Sequence, residues 1–251
     1  MSLFNDKLKK IPLKELLSVI IVLFLIQYFL TALNIIQIDS FWIYIFIIFY
    51  FVFKLRYEIP TVKSDIADVF RFDILKIVFA VVILNIFFSY GMLYFSDFIL
   101  KVIPPLNFFK AQNALTVSLF ATVLISPVSE ELIFRGVFLN RLKLVVPTIF
   151  AVLISSLLFA ALHSYGAITA AFVFAVCISI LYLKTENIFV VIFAHFLNNL
   201  IAEAIVFIDS KEVLFNNTLA MSVMSVLAIV SFVIILISVV RQFKILNNYD
   251  Y

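Results

Sequence analysis

Three ionisable side chains fall within six residues of an otherwise apolar stretch: Ser126-Pro127-Val128-Ser129-Glu130-Glu131-Leu132-Ile133-Phe134-Arg135. On insertion scales an acidic or basic side chain at the centre of a membrane helix costs roughly 2.5–3.5 kcal/mol, so such groups usually face a protein interior or a wet cavity. Glu131 and Arg135 are spaced i,i+4 and can neutralise each other on one helix face. Glu130 points about 100° away from Glu131 on a helical wheel, and that pairing leaves it unexplained. The chain has only two histidines, His163 and His195, and both lie in apolar stretches. His195 and Asn199 are again i,i+4, stacked on one face, and both side chains donate hydrogen bonds. The same pair also reads as interhelical glue, a common use of His and Asn in membranes.

A carboxylate, a histidine and a His–Asn donor pair on three helices are the parts for hydrolysing an amide with an activated water. Glu130 suits the general base. His163 suits orientation and deprotonation of the water, and His195 with Asn199 suits stabilisation of the tetrahedral oxyanion. A polar turn at Val145-Val146-Pro147, flanked by Arg141 and Lys143, predicts a helical hairpin. Glu130 and His163 then lie about 16 residues either side of it, each roughly 24 Å from the turn at 1.5 Å per residue. Pro127 predicts a kink or a fresh start. With Ser126 as cap and Pro127 in the first turn, the glutamates would sit at the positive end of the helix dipole. Glu203 continues the face of His195 and Asn199 one turn further on, near the end of its span, and reads as interfacial.

The elements that must hold these residues are membrane helices. Hydrophobic residues make up 65% of the 251-residue chain, charged residues 13%, and Phe occurs 31 times; mean hydropathy is +1.22. A soluble fold has too little interior to hide that much apolar surface, which excludes a soluble enzyme, a disordered chain and a nucleic-acid-binding domain. The net charge of +3 therefore records membrane topology rather than nucleic-acid binding. Crossing the hydrocarbon core takes about 20 mostly apolar residues. The segments 16–37, 40–55, 74–98, 114–142, 147–163, 167–183, 187–207 and 219–240 meet this loosely. The expected fold is an all-α polytopic membrane protein of about eight transmembrane helices, its buried site between the fourth, fifth and seventh. The first span has no small-residue cleavage site after it and reads as an uncleaved anchor.

With the N-terminus in the cytoplasm, every one of the 18 Lys and Arg residues except Lys101, Lys110 and Lys211 falls on the cytoplasmic side. The positive-inside rule then puts both termini in the cytoplasm. The polar stretch Lys54–Lys76 reads as a cytoplasmic loop carrying a surface helix. A lone Cys177 in an apolar run excludes disulfides and Cys-based metal sites.

Glu130-Glu131-x-x-x-Arg135, Phe159-x-x-x-His163 and His195-x-x-x-Asn199, in that order, resemble the three signatures of the CPBP (CAAX protease and bacteriocin-processing) family. That family is also called Abi and includes the Rce1-type prenyl-protein endopeptidases. The resemblance covers about residues 114–207. It implies an eight-helix membrane fold opening to the cytosol, and proteolysis by water activated on Glu130 and His163. His195 and Asn199 would form the oxyanion hole, with Glu131, Arg135 and Phe159 in support. A division follows into an N-terminal transmembrane region (1–113), a catalytic core (114–207) and a C-terminal helix with a cytoplasmic tail (208–251).

The expected partners are the lipid bilayer and a membrane-bound peptide or protein substrate, with no nucleic acid; no cofactor is expected. Three alternatives stand beside the protease. Glu130, His163 and His195 could ligate a zinc ion, although no H-E-x-x-H is present. A bacteriocin self-immunity protein would bind a peptide without cutting it. A transporter could use Glu130 as a proton relay, but no inverted repeat supports one. Abundant Ile, Phe, Asn and Lys with only 3 Gly hint at an AT-rich genome and a prokaryotic plasma membrane.

Overall fold

The structure is a computed structural model and describes residues 2–34, 40–102, 119–162, 168–209 and 211–247. No strand occurs among them. Short α1 (Leu3–Lys9) precedes α2 (Leu13–Ala32), α3 (Ser40–Lys54), the small α4 (Val62–Val69) and the long α5 (Phe72–Val102). Residues 119–142 form one rod, α6. It is built from π-helical Ala121–Ile125, α-helical Ser126–Glu131, π-helical Leu132–Phe138 and α-helical Leu139–Leu142. Then come α7 (Thr148–Ala161), α8 (Ile168–Thr185), α9 (Ile188–Ile208) and α10 (Thr218–Asn247).

Among the described residues five helices are long and apolar enough to cross a membrane: α2, α5, α8, α9 and α10. Phe41–Lys54 and Thr148–Ala161 are shorter apolar helices. Outward faces carry large apolar side chains such as Phe24, Phe29, Phe49, Leu157, Ile229 and Ile237. A soluble protein does not leave so much apolar surface uncovered; this is a membrane protein.

Helices α5 and α10 pack along their lengths. The buried positions Met221, Ala228 and Ile235 repeat every seven residues on α10, the spacing that keeps one seam facing a partner. Gly91 meets Ala228, and a Cβ on Gly91 would run into the Ala228 methyl. In a bilayer such small-residue contacts carry helix association, because apolar burial gives no net drive there. Gly91→Val is expected to cost about 1–3 kcal/mol. It should lower the thermal midpoint of the purified protein in detergent, and an unchanged midpoint would mean that the helices part freely.

The polar stretch expected as a surface loop is more deeply engaged than its composition suggests. Asp65 of α4 is only 5% exposed. It accepts hydrogen bonds from the Ser2 hydroxyl and from Asn5 Nδ2, the latter at 2.5 Å. Asn187 Nδ2 donates to the Asp65 carbonyl at 2.8 Å, and the Ile188 N–H donates to Asn5 Oδ1 at 3.0 Å. Asn187 also caps α9 by accepting the Phe189 N–H. This network ties α1 and α4 to the start of α9, the helix that carries His195. On its other side α1 buries Leu8 completely. Leu8 Cδ2 lies 2.8 Å from where a Gly136 Cβ would stand, so the glycine lets α1 seat against α6.

Candidate active site

Pro127 does not begin a fresh helix, as its sequence context predicts. Ser126 has helical angles and follows the π-helical turn Ala121–Ile125 without a break, and its N–H donates five residues back to the Ala121 carbonyl. A proline ring clashes with the carbonyl four residues before it. Widening the preceding turn relieves that clash while the rod continues. The Ser126 hydroxyl is therefore not a cap, and it donates to Glu130 Oε1 instead.

Widened turns leave carbonyls short of intrahelical partners, and buried ones must be satisfied. Side-chain amides serve both π segments. Asn199 Nδ2 donates to the Thr122 carbonyl at 2.9 Å. Asn140 Nδ2 reaches the carbonyls of Arg135 and Gly136 at 2.8 and 3.0 Å. Asn199 thus fixes α9 against the helix of the glutamates, and one donor of its amide is used there.

His195 joins the two adjacent glutamates. Its Nδ1 lies 2.8 Å from Glu131 Oε1, and its Nε2 lies 4.0 Å from Glu130 Oε2. On a helical wheel the two acids diverge, yet the two nitrogens of one imidazole also point in different directions and span the gap. An ionised carboxylate only accepts hydrogen bonds. Pairing with Glu131 therefore places the His195 proton on Nδ1 and turns Nε2 toward Glu130.

Behind this contact lies a closed electrostatic layer. Arg135 Nη1 donates to the same Glu131 oxygen at 2.9 Å, and both side chains are fully buried. Arg135 Nη2 donates to the Ala175 carbonyl of α8 at 3.1 Å. Its guanidinium carbon sits 4.5 Å from the centre of the Phe159 ring, a cation–π contact strengthened by the absence of water. Phe159 and Phe174 each meet the His195 ring edge-on, with centroids 5.9 and 5.3 Å away. Glu131 and Phe159 contact His195 with Arg135 behind them, while Glu130 stands on its other side.

Sequence patterning alone did not find Tyr44. Carried by α3, far before the motif stretch, it stands near Glu130 and Ser126. A tyrosine among the apolar residues of α3 gives no signal, since its relevance arises only where α3 packs on α6. His163, the second motif histidine, lies outside the described residues. Among those described, no group of three or more His, Cys, Asp and Glu is placed to hold a metal ion.

Residues 112–201 match the family model described as Rce1-like, type II CAAX prenyl endopeptidase. All seven motif residues, from Glu130 to Asn199, fall inside the matched stretch. No curated protein and no solved structure matches the chain. Over residues 112–201 this membrane protein is similar to the Rce1-like domain of the CPBP family.

Proposed function

We propose that the chain is an intramembrane endopeptidase that hydrolyses a peptide bond of a membrane-associated peptide or protein, using water activated by Glu130. The observation that carries this reading is the pair of contacts at His195, with Glu131 on Nδ1 and Glu130 facing Nε2. Glu130 takes a proton from the attacking water, and the water oxygen bonds to the peptide carbonyl carbon. His163 shares in orienting that water, the role its motif has in the family.

His195 stabilises the developing oxyanion. Donation to that oxyanion requires a proton on Nε2 beside the one that Nδ1 gives to Glu131. The Nε2–H then faces the reacting carbonyl while Nδ1–H stays on Glu131. Asn199 has a second amide proton beside the one given to Thr122 and completes the donor set. On collapse of the intermediate the carbon–nitrogen bond breaks, and Glu130 passes its proton to the leaving amine.

The fold is proposed to cross the bilayer eight times with both termini in the cytoplasm. The basic residues support this orientation. No observation favours the immunity or transporter alternative.

The test is a comparison of protein termini in membranes of cells carrying the wild type or Glu130→Ala. New termini present with the wild type and lost with the variant are the expected result, and they also name the substrate. Identical termini in both, with the protein present at equal level, would overturn the proposal.

A further inference from the structure

Beside the candidate active site runs an apolar groove of about 600 Å³, bounded by α6 at Val123 and Leu124 and by α9 at Phe196, Leu200, Glu203 and Phe207. Among its lining residues Glu203 is the only charged side chain. It is half-buried and makes no hydrogen bond or ion pair among the described residues. An unpaired carboxylate within a membrane span is costly, and such groups commonly mark a functional path.

The groove and the active site share both walls. Phe196 follows His195 directly, and Val123 follows Thr122, whose carbonyl accepts the Asn199 amide at 2.9 Å. Glu203 stands one turn beyond Asn199 on α9. The lining suits one kind of group above others: an aliphatic stem against Leu and Phe, and a cation at the carboxylate. Lysine has that form, with a flexible apolar stem and a point charge at its tip. The aromatic rings of Phe196 and Phe207 add to the attraction for a cation.

Building on the protease reading, we infer that this groove holds an apolar segment of the peptide substrate and that Glu203 selects a basic side chain within it. Glu203 lies about 12 Å along the helix from His195 at 1.5 Å per residue. An extended peptide covers that distance in about four residues. The basic residue therefore sits about four positions from the bond that is cut.

The test measures binding separately from turnover. Glu130→Gln protein in phosphatidylcholine nanodiscs is titrated with fluorescent Leu- and Ala-rich peptides that differ at one position, occupied by Lys, norleucine or Glu. The Lys peptide is expected to bind about tenfold more tightly than the norleucine peptide, the scale of one charge-assisted contact. Glu203→Gln added to this protein should abolish the difference, and Glu203→Lys should reverse it in favour of the Glu peptide. The reversal is a gain that a misfolded variant cannot mimic. Equal binding of all three peptides, or a Lys preference that survives both substitutions, overturns the inference. If the charge preference follows Glu203 but Glu130-competent protein cuts none of the peptides, the groove stands and the failure falls on the protease reading.

Discussion

Glu130→Gln protein reconstituted in nanodiscs is expected to insert normally and to hydrolyse a peptide substrate at least about 10³-fold more slowly than the wild type, the upper range for loss of a general base. Glutamine keeps the size of the side chain and can still accept from Ser126, but it cannot take a proton from water. The surroundings of Glu130 make the substitution informative. Ser126 holds one side of the carboxylate, and His195 Nε2 faces it at 4.0 Å. The variant removes the proton acceptor and, with it, the charge beside His195 Nε2. Turnover measured with an internally quenched peptide, alongside the thermal midpoint, decides the matter. Activity within about tenfold of wild type would remove Glu130 from the chemistry.

Arg135→Met is expected to destabilise the protein by about 3–5 kcal/mol, because it leaves Glu131 as a buried charge facing only an imidazole. Arg135 and Glu131 are both fully inaccessible, and the guanidinium also serves the Ala175 carbonyl and the Phe159 ring. The double variant Arg135→Met/Glu131→Leu should recover much of that stability, since removing both charges removes the desolvation penalty with them. Activity should not return, because nothing then holds the proton on His195 Nδ1. Thermal unfolding in detergent and peptide turnover, measured on the same three proteins, separate these effects. A single variant as stable as wild type would show that the pair contributes no stability. A double variant with full turnover would show that Glu131 does not position His195.

Much of the site was legible because membrane helices make polar residues conspicuous. Against a chain that is 65% hydrophobic, Glu130, Glu131, Arg135, His195 and Asn199 stand out without any structure. The i,i+4 spacing correctly paired Glu131 with Arg135, a local contact along one helix. Each segment expected to be helical carries helix over most of its described residues. Composition fixed the membrane class, since no soluble fold could hide this surface.

What spacing could not supply is anything that depends on how one helix rotates against another. The contact of His195 with Glu131 joins α9 to α6, and the reach of Tyr44 to Glu130 joins α3 to α6. Pro127 read as a kink or a helix start because a proline lacks its N–H. A π turn before it proved sufficient, and whether a rod breaks or widens depends on partners such as Asn199 for the loosened carbonyls. Asp65 looked like a solvated loop residue because its hydrogen-bonding partners, Ser2 and Asn5, are distant in sequence. Glu203 read as interfacial from its place near a helix end, and only the packing of α6 beside α9 set it in a groove. The sequence alone thus determined the membrane setting, the helices and the chemical inventory, because hydropathy and helical periodicity are properties of the local chain. The tertiary structure decided which carboxylate meets Nδ1 of the histidine and which faces its Nε2, because that depends on distances between helices that no local pattern encodes.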